Sequence, residues 1–227
     1  MQGIAVVPQG LEKEGAQELM ELGAKEAQPK KRCIAFNADM ECFYRFYLKA
    51  RLPFRLLREV ASFPCNSPGT LYKEVQLAMD WEHWLHPNIS FKVDVSGSQH
   101  SLSHSHFTAL QVKNALVDLQ KSLWGKRSDI NLIKPDLCIH LHLNQQGAVL
   151  SLDGAHSSLH KRGYRAAMGT APLKENLAAG LMRLCNWDAS TPLIDPLCGS
   201  GSLLIEGTSM ALGLACRLNR EFLFTKK

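Results

Sequence analysis

The residues best placed to do chemistry lie in one stretch near the C-terminal end, TPLIDPLCGSGSLLIE, from Thr191 to Glu206. Pro192 to Asp195 reads as the end of a buried strand, and Gly199, Ser200 and Gly201 as a tight turn of small residues. An apolar helix follows, from about Ser202 to Ala215. Strand, glycine turn and helix in that order bring backbone N–H groups close to a bound cofactor. The dinucleotide fingerprint is absent, because Leu203 and Leu204 follow the two glycines, and no Lys-Ser/Thr pair closes a P-loop. A pocket for a small adenosine-like molecule is what this pattern suggests.

Three further stretches carry polar chemistry. His160 to Arg165 (HKRGYR) is a dense basic segment with one glycine, too polar to be core. Ser96 to His106 (SGSQHSLSHSH) offers small hydroxyl residues and three histidines just before a helix. Free N–H groups at such a helix start attract phosphate, which makes Ser98, Ser105 and His106 candidate contacts. Lys113, Lys126 and Arg127 add positive charge after it. His140 and His142 form a His-x-His pair on what reads as the outward face of a strand. With no third ligand at regular spacing, no metal site is read there or at His100, His104 and His106.

The elements that must position these groups follow from periodicity. Gln2–Val7 reads as a strand and Leu11–Leu22 as an amphipathic helix stopped by Gly23. Arg32–Phe36 reads as a strand, Asp39 as the cap of a helix to about Ala50, and Phe54–Phe63 as extended chain. The basic surplus from Lys30 to Val60, including Arg45, Lys49, Arg51 and Arg58, reads either as a solvated face or as one that meets phosphate. In the middle, Thr70–Met79 is helical, and Trp81 and Trp84 read as packing anchors. Ile89–Val95 alternates as a strand, and Phe107–Leu123 shows the best helical stripe, at Ala109, Val112, Leu116, Leu119 and Leu123. Leu137–Leu143 and Ala148–Leu152 read as an antiparallel hairpin turned at Asn144–Gly147. Pro172 is placed to open a helix from Leu173 to about Cys185.

Length and composition limit the choices. At 227 residues, with 45% apolar and 21% charged side chains, the chain suits one or two ordinary folded domains. Lys and Arg exceed Asp and Glu by 26 to 21, which permits an anionic partner without demanding one. No signal-like start and no uninterrupted 18-residue apolar run point to a membrane. Seven cysteines with no CxxC spacing read as reduced thiols of a cytoplasmic protein.

The string HKRGYRAAMGTAPLKENLAAGLM followed by LIDPLCGSGSLLIEGTSMA closely resembles bacterial large-subunit rRNA guanine-N2 methyltransferases related to RlmL. FKVDVSGSQHSLSHSHFTALQVKNALVDL resembles the THUMP domain of the same family, and VPQGLEKEGAQELMELGA its N-terminal ferredoxin-like domain. The resemblance implies an α+β chain with a ferredoxin-like domain over 1–63 and a THUMP domain over 64–155. Residues 156–227 would be the start of a Rossmann-like methyltransferase domain. It implies S-adenosylmethionine as cofactor, held by Asp195, Pro196, Cys198, Gly199, Ser200 and Gly201, with Arg165 and Asn176 shaping the edge of the site. Structured 23S rRNA is the implied partner, met by the residues named above together with Lys161 and Arg162; no membrane or obligate protein partner is implied. The family's target-base motif, NPP or DPP followed by an aromatic residue, occurs nowhere in these 227 residues, so no catalytic residue is assigned. The expectation is an RNA-binding N-terminal part that is inactive alone. Adenine-N6 methylation and a non-catalytic RNA-binding protein with a vestigial glycine turn are the alternatives.

Overall fold

The structure is a computed structural model and describes residues 1–165, 172–217 and 220–223. It is a mixed α+β chain that divides into two compact units, residues 1–56 with 157–221, and residues 57–156 with 222–227. The segment carrying the glycine turn therefore packs with the N-terminal module. Sequence reading had separated the two.

The first unit contains β1 (Gln2–Val6), α1 (Glu12–Glu21), β2 (Glu26–Lys30), β3 (Cys33–Asn37) and α2 (Met40–Lys49), and much later in the chain α6 (Glu175–Leu184) and α7 (Ser202–Ala211). β3 is central and antiparallel to both neighbours, Val6 facing Cys33 on one side and Lys30 facing Cys33 on the other. β2 is absent from the sequence reading because EAQPK has no apolar alternation. It is an edge strand, which is where Pro29 can sit without breaking a ladder. The core beneath holds Leu19, Ile34, Phe36, Phe43 and Phe46, with the Phe36 and Phe46 rings edge to face at 5.4 Å. α2 begins where Asp39 accepts the Cys42 N–H at 2.8 Å, as the capping pattern predicts.

The second unit contains most of β4 (Arg55–Phe63), then α3 (Pro68–Leu77), α4 (Trp81–Trp84), β5 (Phe91–Gly97), α5 (Ser105–Trp124), β6 (Leu137–Asn144) and β7 (Gly147–Asp153). The strands run in the order β4-β7-β6-β5. β6 and β7 form the expected antiparallel hairpin, with Asn144 paired to Gly147. β5 and β6 are parallel, and α5 makes the crossover that parallel neighbours require. Phe91, Val112, Leu116, Ile139, Leu141 and Leu150 fill the core. The helical stripe runs out at Leu123, which is exposed. Trp81 is buried and donates its indole N–H to Val75 O at 2.7 Å, a packing anchor as expected.

Two expectations fail here. β6 lies between β5 and β7 with both faces covered, so Cys138 and His140 are buried and only His142 is partly open. A two-residue alternation marks one wet face only when a sheet has one. Pro192–Asp195 forms no strand, and Ile194 is 81% exposed. A strand exists by pairing, and no described strand lies beside it. Two helices are also shorter than read. α6 is preceded by Lys174 as N-cap, leaving Pro172 outside it. α7 stops at Ala211 because Gly213, at φ +64, closes it with Leu214 N–H on Ser209 O.

Candidate cofactor loop and its buried anchor

The glycine turn is a loop at the N-terminus of α7 within the first unit. Asp195 Oδ1 accepts the Leu197 N–H at 3.2 Å, and Cys198 O accepts the Gly201 N–H at 2.7 Å. Gly199 (φ +53) and Gly201 (φ +72) occupy the left-handed region, where a side chain is strained. A Cβ at either would touch nothing nearer than 3.8 Å, so the space around both is open. α7 has Gly201 at its N-cap and no side-chain cap. The N–H groups of its first turn have no intrahelical partner and face an open loop. Asp195 is half-buried, while Pro196, Cys198, Gly199 and Ser200 are exposed. These five residues and Gly201 are thus brought together as the sequence suggests.

The other two predicted cofactor residues hold the frame. Arg165 donates to Leu173 O and, at 2.8 Å, to Ser202 Oγ, and its Nε lies 3.4 Å from Glu175. It brackets the starts of α6 and α7, while Ser202 Oγ itself reaches Leu173 O. Asn176 is fully buried and donates to Leu52 O at 3.0 Å. It stitches α6 to the segment after α2, and its position is not that of a group on the loop. Residues 166–171, between the basic segment and α6, lie outside the described residues.

The residue that sequence reading passed over is Glu206. It lies one turn into α7, 1% exposed, and accepts from Arg51 Nη1 at 3.3 Å and from the Tyr164 hydroxyl at 3.1 Å, with Arg162 Nε 3.1 Å away as an ion-pair partner. Arg51 also donates through Nη2 to Ser209 O, Ser209 Oγ and Leu214 O, so a guanidinium from beyond α2 caps the C-terminal end of α7. Arg162 closes the ring by donating to Arg51 O at 2.7 Å. A carboxylate among the apolar residues SLLIE needed a buried partner, and that was the available signal.

The burial of these charges moves their titration. Burial first, then the Glu206 carboxylate, pushes the Tyr164 phenol far above its usual range. Burial pushes Arg217, which donates to Leu159 O and Tyr47 O, down to about 10. Burial raises Glu18 against the Arg51 and Leu52 N–H groups that its carboxylate accepts.

Of the basic surplus from Lys30 to Val60, Arg51 is withdrawn from the surface, while Lys30, Lys31, Arg32 and Lys49 are exposed. Arg51 and the Arg162 side chain are buried ion-pair partners, which removes Arg162 from the candidate RNA contacts. Lys161 is exposed. In the second unit Ser98, Ser105, His106, Lys126 and Arg127 are exposed and Lys113 is half-buried. The histidine-bearing loop is pinned by buried Leu102, by Gln99 on Gly147 O at 3.1 Å and by Ser101 on Asn66 O at 2.7 Å. Among the described residues no group of three or more His, Cys, Asp or Glu could hold a metal, and no helix is long and apolar enough to cross a membrane.

Comparison with known proteins finds three family models in succession along the chain. The family model of the RlmL ferredoxin-like domain matches residues 2–57, the THUMP domain model 70–153, and the RMKL-like methyltransferase domain model 162–227. A Synechocystis protein named "Putative RNA methyltransferase" is 43% identical over 93% of this chain and 55% of its own length. The ribosomal RNA large subunit methyltransferase K/L of Vibrio campbellii is 38% identical over 97% of this chain and 31% of its own length. The chain thus spans about half, or less, of the relatives it matches. Among solved structures, SMU.472, described as "a putative methyltransferase complexed with SAH", superposes with a TM-score of 0.86 at 30% identity, over 98% of this chain and 59% of that one. A Listeria monocytogenes protein described as a "predicted N6-adenine-specific DNA methylase" gives 0.86 at 28% identity, over 98% and 58%. A ferredoxin-like segment, a THUMP domain and the leading part of a methyltransferase domain follow one another in this chain, which is the domain architecture of the RlmL/RlmK-like family.

Proposed function

We propose that this chain is the RNA-gripping and cofactor-loop part of an S-adenosylmethionine-dependent enzyme that methylates N2 of a guanine in 23S rRNA in the cytoplasm. The observation that carries this reading is the loop from Asp195 to Gly201. It has two glycines in the left-handed region, open space around both, and the uncapped N–H groups of α7 behind it. That donor set and that space fit the methionine end of the cofactor. When bound, S-adenosylmethionine supplies an electrophilic methyl group on a sulfonium.

The chain's own residues would do the following. The loop backbone orients the cofactor. Arg165 and the Glu206 cluster hold α7 still behind it, so the geometry is set before binding. The exposed cations of the THUMP segment hold structured RNA through phosphate and shape. A guanine in that RNA must leave its stack to reach the methyl group. The target-base motif is absent from these 227 residues, so they are expected to bind RNA and cofactor without transferring the methyl group.

Calorimetry with S-adenosylhomocysteine and filter binding with 23S rRNA fragments test this reading. Binding of both, with Gly199→Val or Gly201→Val abolishing only the first, supports it. A wild-type chain that binds neither overturns it. The likeness to the Listeria protein keeps adenine N6 as a second target atom; the THUMP segment favours RNA over DNA.

A further inference from the structure

We infer that His86 and Trp124 form a stacking platform for an unpaired nucleobase of RNA, with Lys126 and Arg127 holding the adjoining phosphates. This rests on the RNA-binding reading above and names where single-stranded RNA is held. The two rings belong to the second unit and approach from different elements. His86 follows α4, and Trp124 is the last residue of α5. Their centroids are 5.5 Å apart with the planes at 58°. His86 is exposed and Trp124 half-exposed, and Lys126 and Arg127, immediately beyond the Gly125 turn, are exposed as well.

The arrangement is built before any ligand arrives. Buried Gln120 donates to Leu85 O and to Ser128 Oγ, both at 2.6 Å, and accepts the Ser128 N–H at 3.0 Å. Ser128 in turn donates to His86 O at 3.2 Å. One side chain thus clamps the turn carrying His86 to the turn carrying Lys126 and Arg127. The His86 ring is set by a further bond, Nδ1 accepting the Asn88 N–H at 3.4 Å. Beyond the cations, Phe91 N–H on Asp129 O and Asn131 N–H on Phe91 O fix the chain to β5. Trp84 is the contrast. Its face is covered by Arg58 at 4.7 Å, and it packs against the core. Two flat rings held at the surface beside two cations suit a base and its phosphates, because every base offers a π-face and every nucleotide a negative charge. Lysine is depleted from protein–protein interfaces, so Lys126 beside the two rings favours a nucleic-acid occupant over a protein one.

The test uses fluorescence anisotropy with a single-stranded RNA of about twelve nucleotides and a hairpin of the same composition. His86→Ala and Trp124→Leu are each expected to weaken single-strand binding about tenfold, with hairpin affinity nearly unchanged, and Trp124→Phe to retain most of the affinity. Unchanged single-strand affinity, or an equal loss on the hairpin, overturns the platform while leaving RNA binding intact. A wild-type chain that binds neither RNA removes the RNA reading itself. Photocrosslinking of the wild-type chain to RNA containing 5-bromouridine needs no variant. Adducts on the peptides holding His86 or Trp124 are expected, and adducts found only elsewhere overturn the inference.

Discussion

Replacing Glu206 with Gln is the sharpest test of how α7, behind the candidate cofactor loop, is held. The substitution keeps shape and removes one negative charge from between Arg51 and Arg162, whose side chains are 9% and 2% exposed. Removing one partner of a buried pair typically costs about 3–5 kcal/mol, because the remaining charge is left buried and uncompensated. Here two guanidiniums lose the same partner and Tyr164 loses a charged acceptor, so the upper part of that range applies, about 4–5 kcal/mol. For a chain of this size such a loss lowers the melting temperature by roughly 10–15 °C. Urea unfolding followed by circular dichroism measures it, and Trp187, in the first unit beside α6, gives a local fluorescence signal. Arg51→Met in the same background should recover part of the loss, with a coupling of at least about 1 kcal/mol. A Glu206→Gln protein within about 1 kcal/mol of wild type, or strictly additive effects of the two substitutions, would refute a buried charge cluster as the anchor of α7.

Other outcomes follow from separate features. Gly201→Val places a β-branched residue at φ +72 and should cost about 1–2 kcal/mol; S-adenosylhomocysteine affinity should vanish in calorimetry while RNA affinity stays. Gly180→Ala would bring a Cβ within 2.2 Å of Leu11 Cδ1, where α6 crosses the start of α1. Overpacking should cost about 1–3 kcal/mol despite the better helix propensity, and Leu11→Ala added to it should recover part of the loss in thermal melts. Glu18 has a folded-state value raised above the ordinary 4.5, so the fold holds its proton where the unfolded chain has released it. Stability should therefore fall as pH rises from about 4.5 toward the raised value, and Glu18→Gln should flatten that slope in a pH series of urea melts.

Much of this protein is legible in one dimension because the relevant physics is local. The stripe at Val112 and Leu116, the alternation through β6 and β7, the Asp39 cap and the glycines at 199 and 201 each follow from helix pitch, strand pleat or backbone sterics over a few residues. Tertiary structure alone decided three things. It paired EAQPK as an edge strand, because an edge is chosen by its neighbour and not by its own pattern. It covered both faces of β6, so the histidine alternation misread His140. And it drew Arg51, Arg162 and Tyr164 around Glu206. The chain distance from Arg51 to Glu206 carries no sequence period, and whether an arginine meets solvent phosphate or a buried carboxylate depends only on what the fold packs over it.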